Sequence, residues 1–135
     1  NNCRLVFISP RDLAMPGFLL DKCGGISSER GCSFSEGRRI EDFIGEVDVL
    51  YMTRIQKERL EDRVALAEKF RSIYRLEANM LKDAKENMKV MHPLPRVTEI
   101  APDVDNTPHA YYFQQARNGL FVRETLLALI LGAVK

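Results

Sequence analysis

Apolar residues come in short runs separated by polar, helix-prone stretches. Arg4 to Ser9, RLVFIS, is rich in β-branched and aromatic side chains and is closed by Pro10, which predicts a buried strand. In the following LAMPGFLLDKC, Asp12 is placed to cap a helix and Pro16 predicts a kink or a late start, with Gly24-Gly25 ending it. Residues 26–39 are turn-rich, with room for a short strand around Cys32–Ser35. Ile40, Phe43, Ile44 and Val47 recur at i, i+3, i+4 and i+7, which predicts one helical face over 40–47. Asp48–Met52 reads as a short apolar strand running directly into TRIQKER, and a polar, helix-prone stretch follows from Leu60 to Ile73. Tyr74–Leu76 is a candidate strand, and Glu77–Asn87 reads as an amphipathic helix with Leu81 and Ala84 inward. Lys89–Met91 is a strand that leads into MHPLPR, residues 91–96. A loop rich in Pro, Asp and Asn covers 97–108, and one long helix starts near Ala110 with a break expected near Asn118-Gly119.

Strands alternating with helices predict an α/β fold: a three-layer parallel sheet with helices on both faces. In such sheets ligands sit at the carboxyl ends of the strands. TRIQKER and MHPLPR both follow predicted strands at that edge, so they are expected to share one site.

Composition narrows the function classes. The chain has 135 residues, 45% of them hydrophobic and 29% charged, enough for one domain with its own core and too apolar for disorder. The formal net charge of +1 gives no basic field for nucleic acid. The three cysteines, Cys3, Cys23 and Cys32, have no zinc-type spacing with a neighbouring histidine, so no metal site is expected. They are expected as reduced thiols of a cytoplasmic protein, with a Cys23–Cys32 disulfide left open. No signal peptide is visible, and the start NNCRLVFIS, without an initiator methionine, suggests a fragment, a processed chain or an excised domain.

If the chain stays extended past Met52, Arg54 and Gln56 share a face. An arginine fork with a glutamine donor beside it suits a small carboxylate ligand, and Glu58 is placed to pair with Arg54 and hold the fork still. Taken by itself, such a run is also what an exposed charged loop contains. In MHPLPR, Pro93 and Pro95 remove two N–H donors and stiffen the turn, and an X–Pro bond carries only about 0.5–1 kcal/mol against the cis form. The expected result is a rigid turn with free carbonyls, able to accept from an amine or amide; an ordinary Pro-rich turn is the bland alternative. His92 reads as structural, because no partner acid lies near it in sequence. TLLALILGAV, residues 125–134, is apolar on every side yet far too short for the about 20 residues of a membrane span. It implies either a core helix or a partner surface.

Together, LVFISPRDLAMP, EVDVLYMTRIQKER, AKENMKVMHPLPRVTEIAPDVDNTPHAYYFQQARNG and LLALILG resemble the aspartate-binding domain of the aspartate carbamoyltransferases, along nearly the whole chain. The related ornithine enzymes usually carry a cysteine before the leucine of the turn, where this chain has Pro93. The resemblance implies a Rossmann-like domain over 1–135 with its carbamoyl phosphate domain absent. It also implies transfer of the carbamoyl group of carbamoyl phosphate to L-aspartate, in pyrimidine biosynthesis. Arg54 and Gln56 would bind L-aspartate, with Glu58 orienting the arginine. Leu94 and Pro95, across a cis bond, would contact the carbamoyl group. No cofactor is implied.

The family's Ser-Thr-Arg-Thr phosphate loop, its carbonyl-polarising histidine, and the serine and lysine lent by a neighbouring subunit have no counterpart in these residues, nor does the arginine before the first strand. No residue here is therefore catalytic, and the chain alone is expected to be inactive. The resemblance further implies a homotrimer of full-length chains and leaves room for regulatory subunits. The last helix would pack on the missing domain, leaving Leu126, Leu127, Leu129, Ile130 and Leu131 partly exposed here and favouring self-association. Gly24-Gly25 interrupts a helix the family usually continues, and 61–73 lacks the family's loop tyrosine, which puts closure of that loop over aspartate in doubt. A non-catalytic binding or scaffold module with the same fold is the alternative; the intact Arg54, Gln56 and MHPLPR favour the enzyme. A flavodoxin-like signalling domain would want an acidic pocket where this chain has Pro10-Arg11-Asp12.

Overall fold

The computed structural model describes residues 3–30, 32–54 and 73–133. They fall into two compact units, Asn1–Phe43 and Ile44–Lys135. The first is a βαβ unit: β1 (Arg4–Ile8), a 3-10 turn (Arg11–Leu13), α1 (Gly17–Arg30) and β2 (Ser33–Gly37). β1 and β2 pair in parallel from Arg4↔Ser33 to Ile8↔Gly37, the pairing a crossover helix permits.

Three expectations change here. β1 is in place but not buried: Arg4 and Leu5 are exposed and the rest half-buried, since in this unit it has one partner strand and one helix. Asp12 lies inside the 3-10 turn rather than capping a helix. α1 does start late, directly after Pro16, but it runs through Gly24-Gly25 to Arg30. Glycine costs a helix only about 1 kcal/mol per residue relative to alanine, less than the packing of a whole turn can offset. At Gly24 the helix lies on β2, with the Phe34 ring 4.0 Å from where a Cβ would sit, an ordinary packing distance.

Residues 40–47 form turns, not a helix, although Ile40 and Ile44 are buried as the spacing predicted. So short a stretch cannot hold a helix by propensity alone. Phe43 N–H donates to the Ile40 carbonyl at 3.1 Å, folding the Phe43 ring over Gly37. A Cβ at Gly37 would collide with that ring, so the close approach needs glycine.

In the second unit, β3 (Val49–Tyr51) pairs in parallel with β4 (Lys89–Met91). Val90 also bridges Ala110, and Leu76 bridges Ile100, both in parallel. The candidate strand at Tyr74–Leu76 is thus one isolated bridge. Glu77–Asn87 is a short 3-10 segment, Ala78–Asp83, rather than a helix; Leu81 is buried as expected and Ala84 half-buried. The loop expected at 97–108 contains a 3-10 turn, Pro102–Asn106. α2 (Tyr112–Ile130) runs unbroken through Asn118-Gly119. The Arg123 guanidinium lies along Gly119, 3.7 Å from where a Cβ would be, so the position is covered.

Leu76, Met88, Val90, Ile100, Val104 and Tyr112 form the buried core of this unit. Leu126, Leu127, Leu129, Ile130 and Leu131 stay 49–79% exposed, as expected. Parallel strands with flanking helices make this an α/β fold, the described ladders being two pairs. No described helix is long and apolar enough to cross a membrane.

Candidate functional site

β3 and β4 end side by side. Tyr51 is the register partner of Met91, and Met52 N–H donates to the Met91 carbonyl at 2.8 Å. Arg54 lies three residues past Tyr51, and Leu94 three residues past Met91. The two motifs therefore leave the same carboxyl edge from paired positions. Arg54 is half-buried; Gln56 and Glu58 lie outside the described residues, as do residues 55–72 of the stretch before Ile73.

The MHPLPR turn is held by its neighbours. The Leu94–Pro95 bond is cis, as expected, and Leu94 has φ +52°, a conformation that costs a branched residue about 1–2 kcal/mol. Leu94 N–H donates to His92 Nδ1 at 2.8 Å. That bond requires a lone pair on Nδ1, so the ring proton sits on Nε2, which donates to Glu99 Oε1 at 2.8 Å. His92 is 1% exposed. Its role is structural, as the sequence suggested, but the stated reason fails: Glu99, seven residues on, is its partner acid.

Glu99 is a buried carboxylate without a cation beside it among the described residues. Val97 N–H and Thr98 N–H donate to Oε2 at 3.2 and 3.0 Å. Burial works to raise its pKa, but the backbone N–H groups of Glu99, Thr98 and Val97 and the His92 ring together hold it below the ordinary carboxylate value. Gln115 on α2 ties the strand ends together. Its Oε1 accepts from His92 N–H at 2.9 Å and its Nε2 donates to the Tyr51 hydroxyl at 3.1 Å.

Arg96, the last residue of the motif, meets Asp105 fork to fork, with Nη1 and Nη2 each 2.5 Å from a carboxylate oxygen. Tyr112 OH donates to the same carboxylate and accepts from Arg96 Nη1 at 3.1 Å. The guanidinium also lies 5.4 Å from the Tyr112 ring centroid. The hydrogen bonds from Arg96 hold Asp105 below its usual range, and burial, with the bond to Asp105, pushes Tyr112 up to about 12. A depression of about 320 Å³ opens at the same edge, lined by Tyr51, His92, Pro93, Gln115, Gly119 and Arg123. Its mixed polar and apolar lining, beside the rigid turn, suits a small ligand. Among the described residues no cluster of His, Cys, Asp or Glu could hold a metal ion.

Residues 1–130 match the family model described as the aspartate/ornithine carbamoyltransferase, Asp/Orn binding domain. The chain belongs to this carbamoyltransferase family. It is 51% identical over 132 residues to the aspartate carbamoyltransferase catalytic subunit of Vibrio vulnificus, covering 98% of this chain and 41% of that protein. The catalytic subunit of Chromobacterium violaceum is 51% identical over 129 residues, again with 41% of that protein covered. The chain thus spans about two fifths of the length of these curated relatives. Among solved structures, Trypanosoma cruzi aspartate transcarbamoylase in complex with N-(phosphonacetyl)-L-aspartic acid superimposes with a TM-score of 0.82 at 33% identity, covering 92% of this chain and 39% of that one. The same enzyme in complex with carbamoyl phosphate gives 0.81 at 29% identity, covering 93% and 48%.

Within this carbamoyltransferase domain, sequence reasoning found both ends of the strand pair but missed Glu99, Asp105, Tyr112 and Gln115. Glu99 and Asp105 carried one available signal: each is an acid within ten residues of a histidine or arginine in a rigid turn. Gln115 carried none, because its partners lie on two other elements.

Proposed function

We propose that this chain is the L-aspartate-binding half of an aspartate carbamoyltransferase. The supporting observation is the paired exit of Arg54 and the cis Leu94–Pro95 turn from register partners on β3 and β4. In this reading the Arg54 fork holds a carboxylate of L-aspartate, Gln56 donates beside it and Glu58 orients the fork. The Leu94 and Pro95 carbonyls accept from the carbamoyl NH2 and from the incoming amine. The aspartate amine attacks the carbamoyl carbon, the bond from that carbon to the phosphate oxygen breaks, and phosphate leaves as the amine loses a proton. The groups that stabilise the developing charge come from a carbamoyl phosphate domain outside these 135 residues, and no residue here is catalytic. The exposed apolar side chains of α2 fit that domain as their cover. The working unit is a cytoplasmic homotrimer of two-domain chains, open to regulatory subunits.

The test is carbamoyl transfer from carbamoyl phosphate to L-aspartate by this chain, alone and mixed with a separately made carbamoyl phosphate domain. Turnover is expected only in the mixture. Arg54→Ala should lower kcat/KM for aspartate at least about 100-fold, the scale of one lost charge-assisted fork. A mixture that associates yet stays silent, or an Arg54→Ala variant with full activity, would overturn the proposal.

A further inference from the structure

The three cysteines take no part in the site above, and all three are thiols. Two of them are brought together by the β1–β2 ladder. Register begins at Arg4↔Ser33, and Ser33 N–H donates to the Cys3 carbonyl at 2.9 Å, which closes that first pair and leaves Cys3 and Cys32 as the residues immediately before it on the two strands. Register neighbours in a sheet lie about 4.8 Å apart at Cα, inside the roughly 4.4–6.8 Å span of disulfides. Side chains at paired positions leave the sheet on one face. The rings of Phe7 and Phe34, which share the parity of Cys3 and Cys32 on their strands, meet at 6.4 Å between centroids. That contact places odd positions of β1 and even positions of β2 on a common face. Cys3 is exposed and Cys32 half-buried, so a small reagent can reach the pair. Cys23 sits on α1, where no hydrogen-bonded register holds its backbone against Cys32.

We propose that Cys3 and Cys32 form a reversible disulfide site, closed by exchange with a low-molecular-weight disulfide. One protein thiolate attacks glutathione disulfide, breaking its S–S bond to give a mixed disulfide and one glutathione thiolate. The second protein thiolate then attacks the protein sulfur, forming the Cys3–Cys32 bond and releasing a second glutathione. Two protein thiols are oxidised, one glutathione disulfide is reduced, and the two protons end on glutathione. The bond pins the start of β1 to the start of β2. It replaces the Cys23–Cys32 pairing that sequence left open.

The test equilibrates the folded wild-type chain with glutathione disulfide, blocks remaining thiols and maps peptides without reduction. Trypsin cuts after Arg4, Lys22, Arg30 and Arg38, so each cysteine falls in a separate peptide. The expected result is loss of two thiols of the three and a cross-link between the peptide ending at Arg4 and peptide 31–38. Cys23→Ser should retain it, and Cys3→Ser and Cys32→Ser should each lose it. A cross-link through Cys23, dimers joined between chains, a mixed disulfide at Cys3 that never resolves, or three surviving thiols would each overturn the proposal.

Discussion

Replacing Arg96 by methionine tests whether the turn is clamped from its carboxyl side. The substitution keeps an unbranched stem and deletes the fork to Asp105, the bond to the Tyr112 hydroxyl and the cation over the Tyr112 ring. A hydrogen bond to a charged group contributes about 1.5–3 kcal/mol net, and two bonds from one fork do not add in full. The side chains of Arg96 and Asp105 are 20% and 27% exposed, so water replaces part of what is lost. The expected destabilisation is therefore about 2–3 kcal/mol, below the 3–5 of a fully buried broken pair. Urea unfolding of wild type, Arg96→Met, Asp105→Asn and the double variant closes a cycle, with a coupling of about 1–2 kcal/mol expected. Arg96→Lys should recover less than half of the loss, because one ammonium cannot fill both oxygens at once. A loss under about 0.5 kcal/mol with no coupling would mark the fork as a screened surface pair and remove it from the account of the turn.

Two further outcomes follow from the same neighbourhood. Glu99→Gln should cost about 2 kcal/mol, because an amide has one acceptor oxygen where the carboxylate accepts from His92 on one side and Val97 and Thr98 on the other. The folded pKa of Glu99 lies below its ordinary 4.5, so its contribution is present above that pH and lost as pH falls through the folded value. Acid unfolding of the Gln variant should lose that part of the slope, and an unchanged slope would refute the assignment. Tyr112 is raised from 10.0 to about 12, so its contribution is present below pH 10 and is lost as pH rises through 12. Tyr112→Phe should flatten the alkaline fall in stability over that window, and tyrosinate absorbance should show one hydroxyl fewer titrating late. Equal alkaline slopes in the two proteins would count against it.

What was legible in the sequence divides along physical lines. β4 was read at its observed bounds from a short apolar run, a local signal, whereas the cis bond, which X–Pro makes cheap, was expected from the family resemblance. Ile40, Ile44 and Leu81 were placed in the core correctly while their helices were not. Apolar spacing records which side chains are buried, and it does so whether turns or helices carry them. α1 and α2 both run through glycines that looked like stops, since packing against Phe34 or cover from Arg123 is a tertiary event. The tie from Gln115 was invisible for the same reason, while Glu99 and Asp105 offered only their closeness in sequence to His92 and Arg96.

Those ties explain why a recognition turn can be built from so few residues. A carbonyl has no rotamer of its own, so under the proposed function a ligand held by Leu94 and Pro95 would be positioned only as well as the backbone beneath it. Here that backbone is fixed on three sides. His92 holds Leu94 N–H from within the turn and passes the load to Glu99, Gln115 fastens His92 N–H to Tyr51 on the neighbouring strand, and Arg96 anchors the exit at Asp105 and Tyr112. Except for Tyr51, every group in this brace lies between residues 92 and 115, so the turn is ordered by its own stretch of chain before any ligand arrives. A site set in advance spends no ligand binding energy on ordering itself. The arginine side of the site differs. Arg54 stands two residues beyond Met52, whose N–H donates to the Met91 carbonyl, and in the proposed reading Glu58 orients its fork. In that reading the carbonyl half is the fixed reference of the proposed pair, and the arginine half is the part that would select a second carboxylate rather than a second amine.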